Sequence, residues 1–247
     1  MNNPENKKEI IKIHPWRLCP TGEHWVRTHN MHIQPSKEHP EGYETVRRAH
    51  CARNPSGKDQ LYPDEILEIS NRNFSDAQPK ACSLELKFGE NGNKYDDLIA
   101  GWTQYWNEVL LPLEPLEPNL VKALIASESS LNPEILANRK DQNSARGLMQ
   151  LTNLTRKILA DEKGELKNHF VTATREELNN PSINICAGIR WLFNKRRLTS
   201  SRLGRDATWE ETVSEYKGGR TTTKQRLKEL IDTFNEYLED YKKCSKN

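Results

Sequence analysis

Apolar residues recur at helical spacing through the second half of the chain and only in short runs through the first. Leu98, Trp102, Tyr105, Trp106 and Leu110 fall on one face, which predicts a helix that stops at Pro112 and Pro115. A second helix is expected from Pro118 to about Ser129, with Val121, Leu124 and Ile125 at i, i+3 and i+4. Leu154 to Leu159 forms a third segment, and a fourth opens at Pro181 with Ile185, Ile189, Leu192 and Phe193 at helical spacing. Thr208-Trp209-Glu210-Glu211 has the pattern of a capping box, in which side chains satisfy the free backbone donors of a helix start. The helix it opens carries Val213 and Tyr216 and ends near Gly218-Gly219, suited to a left-handed cap. A last helix from about Thr223 puts Leu227, Leu230, Ile231, Phe234, Leu238 and Tyr241 on one stripe. Residues 95–242 therefore read as helices with short connections, and 223–247 as an amphipathic helix that packs on the domain 95–222, with association as the alternative use of the same stripe.

Residues 1–94 have another texture and are read as a separate N-terminal module and linker. Trp25-Val26-Arg27-Thr28-His29 and Thr45-Val46-Arg47-Arg48-Ala49-His50 flank a turn-rich piece with Pro35, Pro40 and Gly42, which predicts a long-looped antiparallel pair. Tyr62 to Ile69 reads as a short helix with Pro63 in its first turn, and 71–94 as linker with one edge strand in Ser83–Phe88. The fold class expected is mostly α, with a small β-containing N-terminal module. His14, His24, His29, His32, His39 and His50 all lie in this module, leaving only His169 beyond it.

Composition sharpens this picture by exclusion. The 34% hydrophobic share is low for one domain, and it reads as two textures averaged together. With 37 basic against 35 acidic residues the chain is no polycation, so nucleic acid is not an expected partner. No run approaches the ~20 apolar residues of a spanning helix. The opening MNNPENKKEIIKIHPW shows no apolar core of a secretory signal.

The five cysteines form no CxxC motif, and an odd count leaves at least one thiol free if the others pair. Cys186, inside an apolar helical pattern, reads as a small buried hydrophobe; Cys19 and Cys51 flank the histidine-rich part and are a candidate pair. Those two cysteines with His24, His29, His32, His39 and His50 offer zinc-ligand chemistry, but their spacing fits no finger or ribbon. The favoured reading is exposed histidines on a basic hairpin, with no metal and no cofactor. Arg27, Arg47, Arg48 and Arg53 with Trp16, Trp25 and Tyr43 make a candidate surface for anionic wall polymers, nucleic acid or a protein partner, set against plain strand decoration.

One carboxylate breaks the helical pattern. Glu128 stands at i+7 from Val121, on the same face as Leu124 and Ile125, whereas Lys122 falls on the opposite, solvent stripe. A carboxylate aligned with core residues must be paired, or sit at a cleft edge where desolvation favours the protonated form that a general acid requires. The bland alternative is a helix-terminal Glu that has reached solvent. Downstream, Asn143-Ser144-Ala145-Arg146-Gly147-Leu148-Met149-Gln150-Leu151-Thr152 is a glycine-bearing turn whose Gln offers both donor and acceptor to a sugar.

Together these pieces resemble the catalytic domain of the soluble lytic transglycosylases, lysozyme-like enzymes that cleave peptidoglycan glycan strands. Glu128-Ser129 matches the family's Glu-Ser, and Gly147-Leu148-Met149-Gln150 its Gly-Leu-Met-Gln. Asn180-Pro181-Ser182-Ile183-Asn184-Ile185 with Gly188 matches the opening of the following helix. Ser214-Glu215-Tyr216-Lys217-Gly218-Gly219 matches Ala-Tyr-Asn-x-Gly imperfectly, with Lys217 where Asn is usual. The resemblance covers roughly 95–220, and the first ninety residues have no counterpart in it.

The resemblance implies that Glu128 is a single acid/base, which protonates the oxygen between N-acetylmuramic acid and N-acetylglucosamine. It then deprotonates the muramic C6 hydroxyl, which closes a 1,6-anhydro ring. Tyr216 is expected to hydrogen-bond Glu128. Met149 and Gln150, with Gly147, Leu148 and Lys217, are expected at the sugar subsites, supported by Ser129 and Asn184. Peptidoglycan strands are the implied partner and the bacterial envelope the implied location. Two alternatives stay open: a hydrolytic goose-type muramidase, for which Asp141 is the nearest second carboxylate, and a catalytically weak wall-binding or assembly module, to which only Lys217 points.

Overall fold

The computed structural model describes residues 16–138, 140–141, 143–219 and 221–244, so His14 and the charged opening of the chain lie outside the described residues. Four short strands come first: β1 (Glu23–Val26), β2 (His29–Ile33), β3 (Tyr43–Arg47) and β4 (His50–Arg53). They nest as two antiparallel ribbons, β1 with β4 and β2 with β3, so the two similar fragments do face each other, Val26 opposite His50 and His29 opposite Arg47. The Cys19–Cys51 disulfide pins the first ribbon. The second ribbon projects with most of its side chains exposed.

Two buried devices fasten these ribbons to the helices. Arg17, buried beneath them, donates to Glu65 at 2.6 Å and also to Asp59. A parallel pair of two residues each, β5 (Gln60–Leu61) with β6 (Phe170–Val171), then stitches the N-terminal part to a loop far along the chain. Strands this short carry no readable alternation.

The helix expected at Tyr62–Ile69 is longer, α1 (Pro63–Asn73), and it buries Ile66 and Ile69 in the same core as the later helices. Where an edge strand is expected at Ser83–Phe88 there is none; a 3-10 segment runs over Leu86–Gly92. The chain doubles back there so tightly that a Cβ on Gly92 would meet Glu85 Cα at 2.4 Å, a reversal that an extended strand could not make.

The helical body follows the apolar pattern closely. α2 (Asp96–Leu110) sends Trp102, Tyr105 and Trp106 into the centre, with the Trp102 indole donating to Ser182 Oγ and the Trp106 indole to the Cys186 carbonyl. α3 (Pro118–Ser129), α4 (Asn153–Ala160), α5 (Pro181–Leu203), α6 (Trp209–Tyr216) and α7 (Lys224–Cys244) complete it. The expected capping box is present at Thr208 and Glu211. Cys186 is a buried free thiol, and Cys82 is held in a disulfide.

Lys122 is a correction. Its place on the solvent stripe of α3 is covered by α7, and the side chain is fully buried. The ammonium pairs with Asp96 at 2.7 Å, donates to the Cys82 carbonyl and lies 4.9 Å from the centre of the Tyr241 ring. A buried cation needs such partners, and burial pushes the Lys122 amine down while raising Asp96.

Candidate active site

Four segments separated in sequence meet at one place. The first is the end of α3, where Val121, Leu124 and Ile125 are buried and Ser130 and Leu131 turn the chain out through left-handed φ values of 53° and 58°. Glu128 stands in that last turn with 19% of its side chain exposed. It is therefore paired rather than solvated: Lys217 Nζ donates to its Oε1 at 2.7 Å. Among the described residues Oε2 takes no hydrogen bond.

The second segment is the turn Gly147-Leu148-Met149-Gln150. Arg146 and Leu151 exchange backbone hydrogen bonds at 3.1 and 3.0 Å and close it. Gly147 adopts φ +73°, and a Cβ there would lie 2.2 Å from Asn184 Nδ2, so both conformation and space demand glycine. Gln150, at φ +47°, folds its amide back to donate to the carbonyls of Gly147 (2.8 Å) and Ile135 (3.2 Å).

The third segment is the first part of α5. Asn184, fully buried, accepts from the Met149 N–H at 2.8 Å and donates to the carbonyls of Leu178 (2.8 Å) and Arg146 (3.2 Å). One turn on, Gly188 lies so close to Met149 that a Cβ would approach its Sδ to 2.3 Å. The fourth segment is the end of α6. Tyr216 O–H donates to the Met149 carbonyl at 2.6 Å, and Gly219 N–H closes the helix on the Ser214 carbonyl, directing Lys217 inward. The Met149 peptide is thus clamped on both sides, its N–H by α5 and its carbonyl by α6.

This geometry sorts the residues picked out in the sequence. The hydrogen bond expected from Tyr216 to Glu128 is not formed; the phenol holds the turn, and Lys217 takes the carboxylate. Burial, then the neighbouring Glu128 charge, push the Tyr216 phenol well above the usual tyrosine range, so it remains a donor. Leu148, Met149, Asn184 and Ser129 are buried, which makes them supports; the Ser129 hydroxyl donates to the Ile125 carbonyl at 3.1 Å. Gln150 and Tyr216 line an open cleft of about 620 Å³ that also takes in Thr152, Leu154, Trp191 and Lys195.

Trp191 and Lys195 were not singled out by sequence reasoning. Their signal is periodic: Trp191 follows Gly188 by three residues and Lys195 follows Trp191 by four, on the stripe that begins at Asn184. Asp141 is exposed and accepts from the Asn143 N–H at 2.8 Å, the ordinary work of a turn-forming Asp. The histidines of the ribbons make local bonds, His24 to Asn54, His32 to Glu44, and His29 and His50 to nearby carbonyls. Among the described residues no group of three or more His, Cys, Asp or Glu is placed to hold a metal ion. No helix among them is long and apolar enough to cross a membrane.

Residues 113–234 match the family model described as the transglycosylase SLT domain, and no curated protein matches the chain. The match begins just before α3 and ends within α7, so it contains all four segments and leaves out the ribbons, α1 and α2. The family is lysozyme-like, mostly helical, and made up of lytic transglycosylases that act on peptidoglycan. With its motif residues gathered around one buried turn, the segment 113–234 of this chain belongs to the transglycosylase SLT domain family.

Proposed function

We propose that the chain is a peptidoglycan lytic transglycosylase in which Glu128 is the single acid and base. The observation that carries this reading is the convergence of the four segments on Glu128 and the clamped Met149 turn. The reaction is non-hydrolytic cleavage of the β-1,4 bond between N-acetylmuramic acid and N-acetylglucosamine. Because Oε1 accepts from Lys217, the proton to be given and taken is carried on Oε2. Protonated there, Glu128 donates to the glycosidic oxygen as the bond breaks. The muramic C1 gains oxocarbenium character, which the sugar's own acetamido group helps to stabilise. The carboxylate then removes the C6 hydroxyl proton, and that oxygen closes on C1 as the 1,6-anhydro ring. No water enters, so no second carboxylate is needed, in keeping with the use of Asp141 in its own turn. Gln150 and Tyr216 border the sugar path, and Leu148, Met149, Asn184 and Ser129 hold them in place. The bacterial envelope, where this substrate lies, is the site of action.

Mass spectrometry of products from purified sacculi tests the reading. Anhydro-muropeptide ends are expected, and reducing ends would replace it with a hydrolytic muramidase. Glu128→Gln should lower turnover by about 10²–10⁴-fold without a change in circular dichroism. Full activity in that variant rejects both.

A further inference from the structure

The face of α5 that holds the site continues beyond it. Asn184, Gly188, Trp191, Lys195 and Leu198 succeed one another at spacings of four and three, which aligns them along one stripe. The first two hold the Met149 turn, and the last three line the open cleft. Lys195 Nζ lies 5.0 Å from the centre of the Trp191 ring. A ring face attracts an ammonium without neutralising it, so the charge is held at the cleft in one orientation.

No nearby carboxylate among the described residues is paired with it. Two carboxylates border the same cleft: Glu215 pairs with Arg202 at 3.0 Å, and Glu165 is oriented, though not neutralised, by the Asn194 amide at 2.6 Å. Among the described residues no carboxylate lies within ion-pair distance of Lys195. Its neighbour on α5, Arg196, is matched by Glu114 at 3.0 Å, so the bare charge at 195 is not general to this helix. Eleven residues at ~1.5 Å each put Lys195 about 16 Å along the helix from Asn184, too far to act on the bond being broken.

We propose that Lys195, held on Trp191, is a binding subsite for a carboxylate carried on the lactyl side of a muramic sugar, remote from the cleaved bond. The inference rests on the glycan substrate proposed above and adds a reason for choosing strands that bear acid groups. Two sources share that chemistry, the free lactyl group of a naked strand and the carboxylates of an attached peptide stem. Remote contacts of this kind raise affinity and hold the strand in register.

The test compares wild type with Lys195→Met, which keeps the packing on Trp191, and with Lys195→Arg, which keeps the charge. Three strands are used: stem-bearing, stem-free with lactyl carboxylates exposed, and strands whose carboxyls are all amidated. Lys195→Met should raise KM about tenfold on an acidic strand with kcat unchanged, leave the amidated strand unaffected, and be rescued by Lys195→Arg. Whichever acidic strand shows the change identifies the source. An equal change on amidated strands, or none on any strand, overturns the subsite. Binding of the same strands to Glu128→Gln protein, with and without Lys195→Met, decides the point independently of turnover. Loss of the preference for acidic strands supports the subsite, and its persistence overturns it. Failure of wild type to release anhydro ends is a separate result, against the proposed reaction.

Discussion

Lys217 Nζ donates to Glu128 Oε1 at 2.7 Å, from a side chain only 1% exposed. The lysine is therefore a fixed part of the site, aimed by the Gly218-Gly219 closure of α6, and it occupies the position where the family usually has Asn. With Tyr216 engaged on Met149, this ammonium is, among the described residues, the group hydrogen-bonded to the carboxylate. On the proposed reaction, Lys217→Met should lower kcat by about 10²-fold with KM little changed, because a misdirected proton donor costs rate rather than binding. Lys217→Asn, which can still donate a hydrogen bond, should retain more of it. Steady-state rates on glycan strands check both, and a Met variant at wild-type kcat would show that the pair does not orient Glu128.

The turn that Tyr216 and Asn184 clamp depends on Gly147. An alanine there meets two costs at once, a φ of +73° and a Cβ 2.2 Å from Asn184 Nδ2. Asn184 cannot yield without releasing the Met149 N–H and two carbonyls. Gly147→Ala should therefore destabilise the fold by about 2–3 kcal/mol and reduce turnover further than stability alone explains. Urea unfolding and activity at low temperature separate the two effects.

Which parts of this were legible follows from the physics of each signal. The helices were, since Leu, Ile, Trp and Phe recur at 3.6-residue spacing wherever a face is buried. The pairing of Glu128 was, because a carboxylate on such a face is an anomaly that calls for a partner. Lys122 misled for the converse reason. Periodicity describes one helix, and α7 arrives from a hundred residues away to cover the side that looked free. The partner of Tyr216 was not legible either, because it is a backbone carbonyl 67 residues away, which carries no side-chain signal in the sequence. The β5–β6 stitch has two residues per strand, too few to show alternation.

Asp59 couples the N-terminal part to the distant loop through Arg17 on one oxygen and His169, at 2.6 Å, on the other. Burial opposes its charge, but the His169 hydrogen bond and the Arg17 guanidinium prevail and hold the carboxyl below the usual aspartate range. A native value below the unfolded one gives stability that is fully present above the unfolded value, about 3.9, and is lost as pH falls through the native value. Asp59→Asn should thus cost about 3–5 kcal/mol at neutral pH, as removal of one partner from a buried ion pair does. The gap between variant and wild type should close in acid. Urea titrations at neutral and strongly acidic pH check it; a gap independent of pH would assign the loss to packing.

The Cys19–Cys51 disulfide spans 32 residues and closes the histidine-rich ribbons into a loop. Chain-entropy arguments give such a loop about 3–4 kcal/mol of stabilisation. The second ribbon, with little buried surface of its own, has small means of replacing it. Replacing both cysteines by serine should therefore open residues 20–57 to limited proteolysis while the helical body resists. The bonds that hold Glu128 and the Met149 turn come from α5 and the end of α6, so turnover on short glycan strands should stay within about twofold of wild type. A fall in activity that tracks cleavage within 20–57 would instead place the ribbons on the path of the glycan.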